Sequence, residues 1–211
     1  MTDTIAAIAT AVSNAGISII RVSGSEAIQI VDEIFVTKGG KHILNNVASH
    51  TIHYGFIQEQ EEMIDEVMVS VMKAPRSYTT EDTVEINCHG GVLLTKRVLE
   101  AVLHAGARMA EPGEFTKRAF LSGRIDLSEA EAVMDLIQAK NQFSMQASIK
   151  QLRGSVAEKV KSLRAALLYE IAFIESALDD PEHISTEGYS EKLGKITQEL
   201  LGEIGKLISS A

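Results

Sequence analysis

The residue types best suited to holding a ligand lie in three separate segments of the chain. Glu85 stands within the apolar run TVEINC, where a carboxylate needs a partner or a cavity because an unpaired buried charge is costly. Arg21 ends the apolar run IIR, and Arg124 lies in a loop where we expect two domains to meet. A guanidinium at either place could hold a ligand carboxylate through two parallel hydrogen bonds.

Two interpretations of Glu85 are equally consistent with this spacing. In the first, Glu85 and the two arginines line a pocket for a ligand that has a hydrogen-bonding ring and carboxylates. The junction at 89–91 (His-Gly-Gly) would add backbone N–H groups at a helix N-terminus, which suit an anion. In the second, Glu85 pairs with Arg21 or Arg124 as an internal salt bridge.

Other kinds of site are not predicted. The phosphate-binding pattern G-x-x-x-x-G-K-[ST] is absent, and the six histidines and one cysteine show neither C-x-x-C nor H-E-x-x-H spacing. Cys88 and His89 are adjacent in a strand pattern, so their side chains point to opposite faces and cannot pair directly. We interpret Cys88 as a small buried residue and His89 as the start of a turn. We expect no catalytic residue and no metal ligand in this chain.

The segment EPGEFTKR is interpreted as a turn followed by a helix. Pro112-Gly113 is a turn signal, and Glu114 favours the first helical turn, where it faces the positive end of the helix dipole. We expect Lys117 and Arg118 to be exposed to solvent.

The composition of the chain excludes several classes of protein. The 211 residues are 45% hydrophobic and carry a net charge of −9, which argues against a general nucleic-acid clamp but not against a local basic pocket. A single cysteine indicates a reducing compartment. The first residues lack a basic leader, and no apolar run approaches the ~20 residues that span a membrane. We therefore expect a soluble, cytoplasmic protein.

Two halves of the chain differ in periodicity. The first half alternates strand and helix patterns and predicts an α+β domain with a mixed sheet. Its expected strands cover 5–11, 17–22, 51–57, 66–72, 83–88 and 107–110, and its expected helices cover 27–35 and 92–104.

The second half is helical throughout. Ser128 and Glu131 fit a capping box. An apolar stripe with a spacing of about 3.6 then predicts one helix from about 142 to 178, ended by Asp179-Asp180-Pro181. A last amphipathic helix covers 193–207. These helices cannot cover their own stripes, so we expect partners from a second subunit or from sequence beyond Ala211.

Four blocks carry a resemblance to a known family. The blocks are TIAAIAT, GISIIRVSG, APRSYTTEDTVEINCHGG and EPGEFTKRAFLSGRIDLSEAEAVMDLI. On these blocks the chain resembles the N-terminal part of the MnmE family of tRNA modification GTPases, also called TrmE, from Met1 to about Asp180 and more weakly to the end.

This resemblance implies a multidomain protein. It implies an N-terminal domain (1–120) that dimerises, resembles folate-binding one-carbon transferases and binds a 5-formyl-tetrahydrofolate-type cofactor. A helical domain follows (121–211 being its first part), and a Ras-like GTPase domain that uses Mg²⁺ and K⁺ is inserted within it. With a flavin-dependent partner, MnmG (GidA), the family modifies the wobble uridine of certain tRNAs. We expect this chain to stop before the GTPase domain and not to hydrolyse GTP.

The family's folate contacts match Arg21, Glu85 and Arg124, which favours the ligand interpretation of Glu85. One departure is the loop at 10–16, TAVSNAG, where the family usually has T-P-x-G-x-G; another is DDPE at 179–182. Two alternatives stay open. The chain could be a free-standing folate-dependent transferase, with Glu81 or Asp82 as its acid, or an interaction scaffold without a working pocket.

Overall fold

The computed structural model describes residues 3–60, 62–152 and 155–209. The chain divides into two compact units, and the division falls between Ile125 and Asp126. The first unit contains a mixed seven-stranded sheet with helices, and the second is helical, so the predicted α+β class is confirmed. No helix in the described part of the chain combines the length and apolarity that crossing a bilayer requires.

The sheet has the strand order β3-β4-β5-β6-β2-β1-β7, and every neighbouring pair is antiparallel except β1 with β7. All six predicted strands are present; the strand at 83–88 has the predicted bounds, and the other five differ at one end or both. The two-residue β3 was missed because its residues continue the apolar stripe of the preceding helix. The strands are β1 (Ile5–Ile8), β2 (Ser18–Ser23), β3 (Phe35–Val36), β4 (Thr51–Glu59), β5 (Glu62–Met72), β6 (Thr83–Cys88) and β7 (Arg108–Met109).

The hairpin of β4 and β5 is longer than predicted, because both strands continue into the charged segment that was expected to be a turn. Glu59 pairs with Glu62 across the strands. Two facing carboxylates would repel each other, but Arg97 lies between them. Its guanidinium is 2.6 Å from Glu59 and 3.7 Å from Glu62, so it offsets the repulsion.

The helices of the first unit are α1 (Ala27–Ile34), α2 (Val92–His104) and α3 (Glu114–Leu121). One face of the sheet is buried with α1 and α2 in a single apolar core. On β5, for example, Val67, Val69 and Val71 are buried, whereas Met68 points to the opposite face and is exposed. We call that opposite side the open sheet face, and it also presents the exposed Ile52 and Tyr54 of β4.

The helical unit begins with α4 (Leu127–Gln138), and its cap lies two residues earlier than predicted. Asp126 accepts a hydrogen bond from the Glu129 N–H, and Glu129 accepts one from the Asp126 N–H, both at 2.8 Å. The predicted box of Ser128 and Glu131 is wrong. Aspartate caps as well as serine, so two overlapping patterns competed for one helix start.

The long apolar stripe is helical over α5 (Gln142–Leu152) and α6 (Ser155–Asp179). Whether these form the single predicted helix depends on residues 153–154, which lie outside the described residues. The helix end at Asp179 and the last helix, α7 (Tyr189–Ser209), are confirmed. On α6, Leu167 and Leu178 are exposed.

Gly90 allows two loops to approach closely. The Ala15 N–H donates a 2.7 Å hydrogen bond to the Gly90 carbonyl, and a Cβ atom added to Gly90 would lie 2.4 Å from the Ala15 carbonyl oxygen. We predict that Gly90→Ser lowers the free energy of unfolding of the first unit by about 1–3 kcal/mol, because the backbone must move apart. Native-state hydrogen exchange of the β6 amides measures this change.

The matched control is Gly91→Ser, next along the chain. A Cβ there meets only the Cβ of Leu94, at 3.8 Å, and serine is a favourable N-cap for α2. We expect a change within about 0.5 kcal/mol. Equal losses from both substitutions would contradict the close-approach explanation.

Candidate functional site

Strand register brings two of the three predicted site residues together. Arg21 of β2 and Glu85 of β6 face each other directly across the antiparallel pair. The Arg21 Nε and Nη2 atoms both lie 2.8 Å from Glu85 Oε1. The side chains keep 30% and 23% exposure, so this ion pair is open to solvent. The pair lies on the open sheet face. Glu85 faces Ser70 of β5, and Ser70 points to the same side of the sheet as Met68, which is two residues away on that strand.

The third predicted residue, Arg124, reaches the same place through an aromatic ring. Its guanidinium carbon is 5.1 Å from the centre of the Tyr78 ring, and that of Arg21 is 5.7 Å from the same ring. Arg21 also lies 5.6 Å from the ring of Phe115. These distances are within the range of cation–π attraction. Arg21 and Arg124 therefore share the Tyr78 ring, and Glu85 is joined to them through Arg21. That the three residues hold a ligand stays a prediction.

The two rings are held by the segments that carry them. The Tyr78 hydroxyl is 3.0 Å from the Thr116 hydroxyl on α3, which links the loop before β6 to the helix that presents Phe115. Within the loop, Ser77 donates a 2.6 Å hydrogen bond to the Glu81 carbonyl. The Asp82 carboxylate accepts one at 2.8 Å from the Ala74 N–H.

Arg118 is buried, so the prediction that it is exposed is wrong, whereas Lys117 is exposed as expected. The Arg118 side chain is 1% exposed. Its Nη1 donates to both carboxylate oxygens of Glu81, each at 3.1 Å, and to the Asp3 carbonyl at 3.0 Å. Its Nη2 donates to the carboxylates of Asp3 and Glu114 at 3.0 and 3.1 Å. A buried guanidinium needs such partners, and here they come from three segments.

Glu114 is confirmed in the first turn of α3, but it does more than face the helix dipole. It accepts two hydrogen bonds from Arg108 of β7, at 2.6 and 2.9 Å, and one from Arg118. The hydrogen bond from Arg108 is the largest cause that lowers the pKa of Glu114, from an ordinary 4.5 to about 2. Arg108 also binds the Asp3 carboxylate. Its hydrogen bonds to Glu114 connect α3 to β7, at the edge of the sheet.

The junction after β6 is organised by a buried carboxylate. Asp65 accepts hydrogen bonds from the His89 N–H at 2.8 Å and from His89 Nδ1 at 2.7 Å, and it raises the pKa of His89. The Gly91 N–H donates to the His89 carbonyl. The expectation that the 89–91 junction offers free N–H groups to an anion is therefore wrong for His89 and Gly91.

Cys88 is confirmed as a buried strand residue. It is 3% exposed, its thiol donates to the Ser18 carbonyl at 3.4 Å, and burial raises the pKa of that thiol. A neutral buried thiol is a poor nucleophile. Within the described residues, no group of three or more His, Cys, Asp or Glu side chains is arranged to hold a metal ion.

The acids that a free-standing transferase would need are engaged elsewhere. Glu81 binds Arg118 and also accepts a 2.9 Å hydrogen bond from Ser23. Asp82 caps the Ala74 N–H. Both carboxylates thus stabilise the loop that carries Tyr78.

Sequence reasoning missed Tyr78, Phe115 and Arg118. One available signal was the spacing of Glu114 and Arg118, since residues four apart on a helix lie on the same face and can pair. Tyr78 and Phe115 had no local signal, because their role depends on the arrangement of α3 beside β2.

Comparisons with known proteins agree over the whole chain. Residues 4–124 match the family described as GTP-binding protein TrmE N-terminus, and residues 127–211 match the MnmE helical domain. A Lachnoclostridium phytofermentans protein named tRNA modification GTPase MnmE is 59% identical over 210 residues, which is 100% of this chain and 46% of that protein.

Two further relatives carry the same name. Those of Geobacillus thermodenitrificans and Carboxydothermus hydrogenoformans are 50% and 49% identical over 212 residues, covering 99% and 100% of this chain. Each match again covers 46% of the relative. The chain thus spans about half the length of the curated relatives it matches.

The hydrogen bonds of the buried Arg118 with Asp3, Glu81 and Glu114 should stabilise the first unit. We predict that Arg118→Met lowers its free energy of unfolding by about 3–5 kcal/mol, because Glu81 and Glu114 lose their buried partner. Lys117→Met is the matched control and should change it by less than about 0.5 kcal/mol, because Lys117 is exposed. Hydrogen exchange of the sheet amides measures both. Similar losses in the two variants would show that the network contributes little.

The lowered pKa of Glu114 predicts a pH dependence. A carboxyl with a folded pKa of about 2 and an ordinary value of 4.5 stabilises the fold fully above about pH 4.5. This contribution is lost as the pH falls towards 2. We expect Glu114→Gln to flatten the dependence of unfolding free energy on pH in that window. Glu111→Gln, at an exposed position, should leave it unchanged; the same slope in all three proteins would disprove the assignment.

Proposed function

The chain belongs to the MnmE family of tRNA modification GTPases, and on that premise we propose that its first unit binds a reduced folate. The proposed ligand is of the 5-formyl-tetrahydrofolate type, and Arg21, Glu85 and Arg124 are its proposed contacts. The observation that carries the proposal is the solvent-accessible ion pair of Arg21 and Glu85 beside the Tyr78 ring.

The groups present fit a pterin. The Nε and Nη2 atoms of Arg21 both bind Glu85 Oε1. Within the described residues, Glu85 Oε2 makes no hydrogen bond. A pterin has neighbouring N–H donors, which a carboxylate oxygen accepts well. Glu85 can therefore accept hydrogen bonds from the ring while its pairing with Arg21 keeps the carboxylate oriented.

The groups around Tyr78 fit the rest of a folate. Arg124 contacts this ring but forms no ion pair within the described part of the chain, so its guanidinium is available to a carboxylate of the glutamyl tail. Tyr78 and Phe115 offer flat apolar surfaces to an aromatic ligand. In this arrangement the unit positions a one-carbon donor, and the chain's own residues bind and orient it.

The family also supports a proposal for the activity of the whole protein. We propose that the chain takes part in modifying the wobble uridine of tRNAs in the cytoplasm, together with the flavin-dependent partner MnmG. We attribute GTP hydrolysis with Mg²⁺ and K⁺ to the part of the relatives that these matches do not cover. The chain itself lacks the phosphate-binding pattern G-x-x-x-x-G-K-[ST].

We propose that the first unit forms a homodimer through the open sheet face. That face exposes Ile52, Tyr54 and Met68 on adjacent strands β4 and β5. Large apolar side chains grouped in this way indicate an interaction surface. The Arg21 and Glu85 pair lies on this same side of the sheet, so a second copy bound there would lie beside the pair.

Binding of 5-formyl-tetrahydrofolate tests the proposed pocket. We predict that the chain binds this compound in isothermal titration calorimetry and that Glu85→Gln weakens the affinity about 10- to 100-fold. The reason is the loss of a hydrogen bond to a charged group, worth about 1.5–3 kcal/mol.

The control is Glu33→Gln, which removes an exposed carboxylate from α1 and should leave the affinity unchanged. Light scattering of the same samples reports whether the chain has twice its monomer mass. An unchanged affinity in Glu85→Gln would show that Glu85 does not contact the ligand. Failure of the unmodified dimer to bind the compound would disprove the proposed pocket.

A further inference from the structure

The acidic chain contains one long segment without any acid. The protein has 29 Asp and Glu residues, yet none falls between Asp135 and Glu158. Residues 136–164 hold six basic residues and a single acid, Glu158. Residues 165–191 then hold seven acids and neither Lys nor Arg. Positive charge is therefore concentrated between Lys140, just before α5, and Arg164 of α6.

These basic side chains are available to a partner. Lys140, Lys150, Lys161 and Arg164 are exposed, and none of them forms a hydrogen bond or an ion pair within the described residues. Lys161 and Arg164 are three residues apart on α6, so they lie on one side of that helix.

The exposed side of α5 combines charge with an aromatic ring. Phe143, Gln146 and Lys150 follow a spacing of three and four, so they share one face, and all three are exposed. Phe143 is 83% exposed. The opposite side of α5 is occupied, since Ser148 is buried and Gln151 donates hydrogen bonds to Ser128 of α4 at 3.2 Å. We call Phe143, Gln146 and Lys150, together with Lys140, the basic α5 face.

We propose that the basic α5 face binds RNA, with its lysines on phosphates and Phe143 stacked on an unpaired base. This inference rests on the proposed function, in which a tRNA is the substrate. Single-stranded loops of RNA offer both phosphates and unstacked bases, and aromatic side chains take up such bases. An acidic protein would satisfy the lysines, but an RNA loop supplies a flat base for the ring as well.

Binding of an unmodified tRNA transcript, followed by fluorescence anisotropy between 50 and 200 mM KCl, tests the inference (roughly the range over which phosphate contacts lose affinity). We expect Lys140→Gln and Lys150→Gln each to reduce the slope of log affinity against log salt by about 1. Phe143→Ala should weaken binding about tenfold and leave the slope unchanged, since stacking releases no counterions.

Two matched variants serve as controls. Tyr169→Ala removes an exposed aromatic ring from the acidic part of α6, and Lys195→Gln removes an exposed lysine from α7. Both should bind the transcript as the unmodified chain does. All these positions are exposed, and circular dichroism confirms that each variant is folded.

Three results would overturn the inference: no binding of the transcript, equal effects in the control variants, or tighter binding of poly-glutamate than of tRNA. The last result would assign the face to an acidic protein. Binding of 5-formyl-tetrahydrofolate is measured on the same samples. Retained folate binding with no RNA binding would reject this inference alone, whereas the reverse result would reject only the proposed folate pocket.

Discussion

The arrangement of the first unit depends on the buried guanidinium of Arg118. A charge that is removed from water must be surrounded by acceptors, and Arg118 finds them on the N-terminal segment, on the loop before β6 and on its own helix. These segments are held together as a consequence. Because α3 cannot move away, Phe115 and Thr116 stay beside Arg21 and Tyr78.

Two ion pairs of the same chemical type serve different purposes, and burial distinguishes them. Arg118 is 1% exposed and its two terminal nitrogens have several acceptors, so it acts as a fixed part of the fold. Arg21 is 30% exposed and binds a single oxygen of Glu85. The second pair is open to solvent and leaves Glu85 Oε2 without a hydrogen bond within the described residues, which is why the ligand is proposed there.

The sheet separates these roles in space. Its buried face packs on α1 and α2, so side chains there are chosen by volume and apolarity. Its open face is free of that demand and carries the Arg21 and Glu85 pair together with Tyr54 and Met68. The helical unit shows a similar division, since the packed side of α5 holds Ser148 and the other side exposes Phe143 and Lys150.

The sequence by itself determined most helices and strands, because their hydrophobic periods are local, and its motif blocks were enough to recognise the family. It also indicated Arg21 and Glu85, since charges in or beside apolar runs are costly to place, and Arg124 through its place in the loop between the two expected domains. It could not tell which arginine is buried. Arg118 contacts Asp3, which is 115 residues away, and such burial depends on segments that meet only in the folded chain. The tertiary structure alone decided that Arg118 belongs to the scaffold and Arg21 to the accessible face.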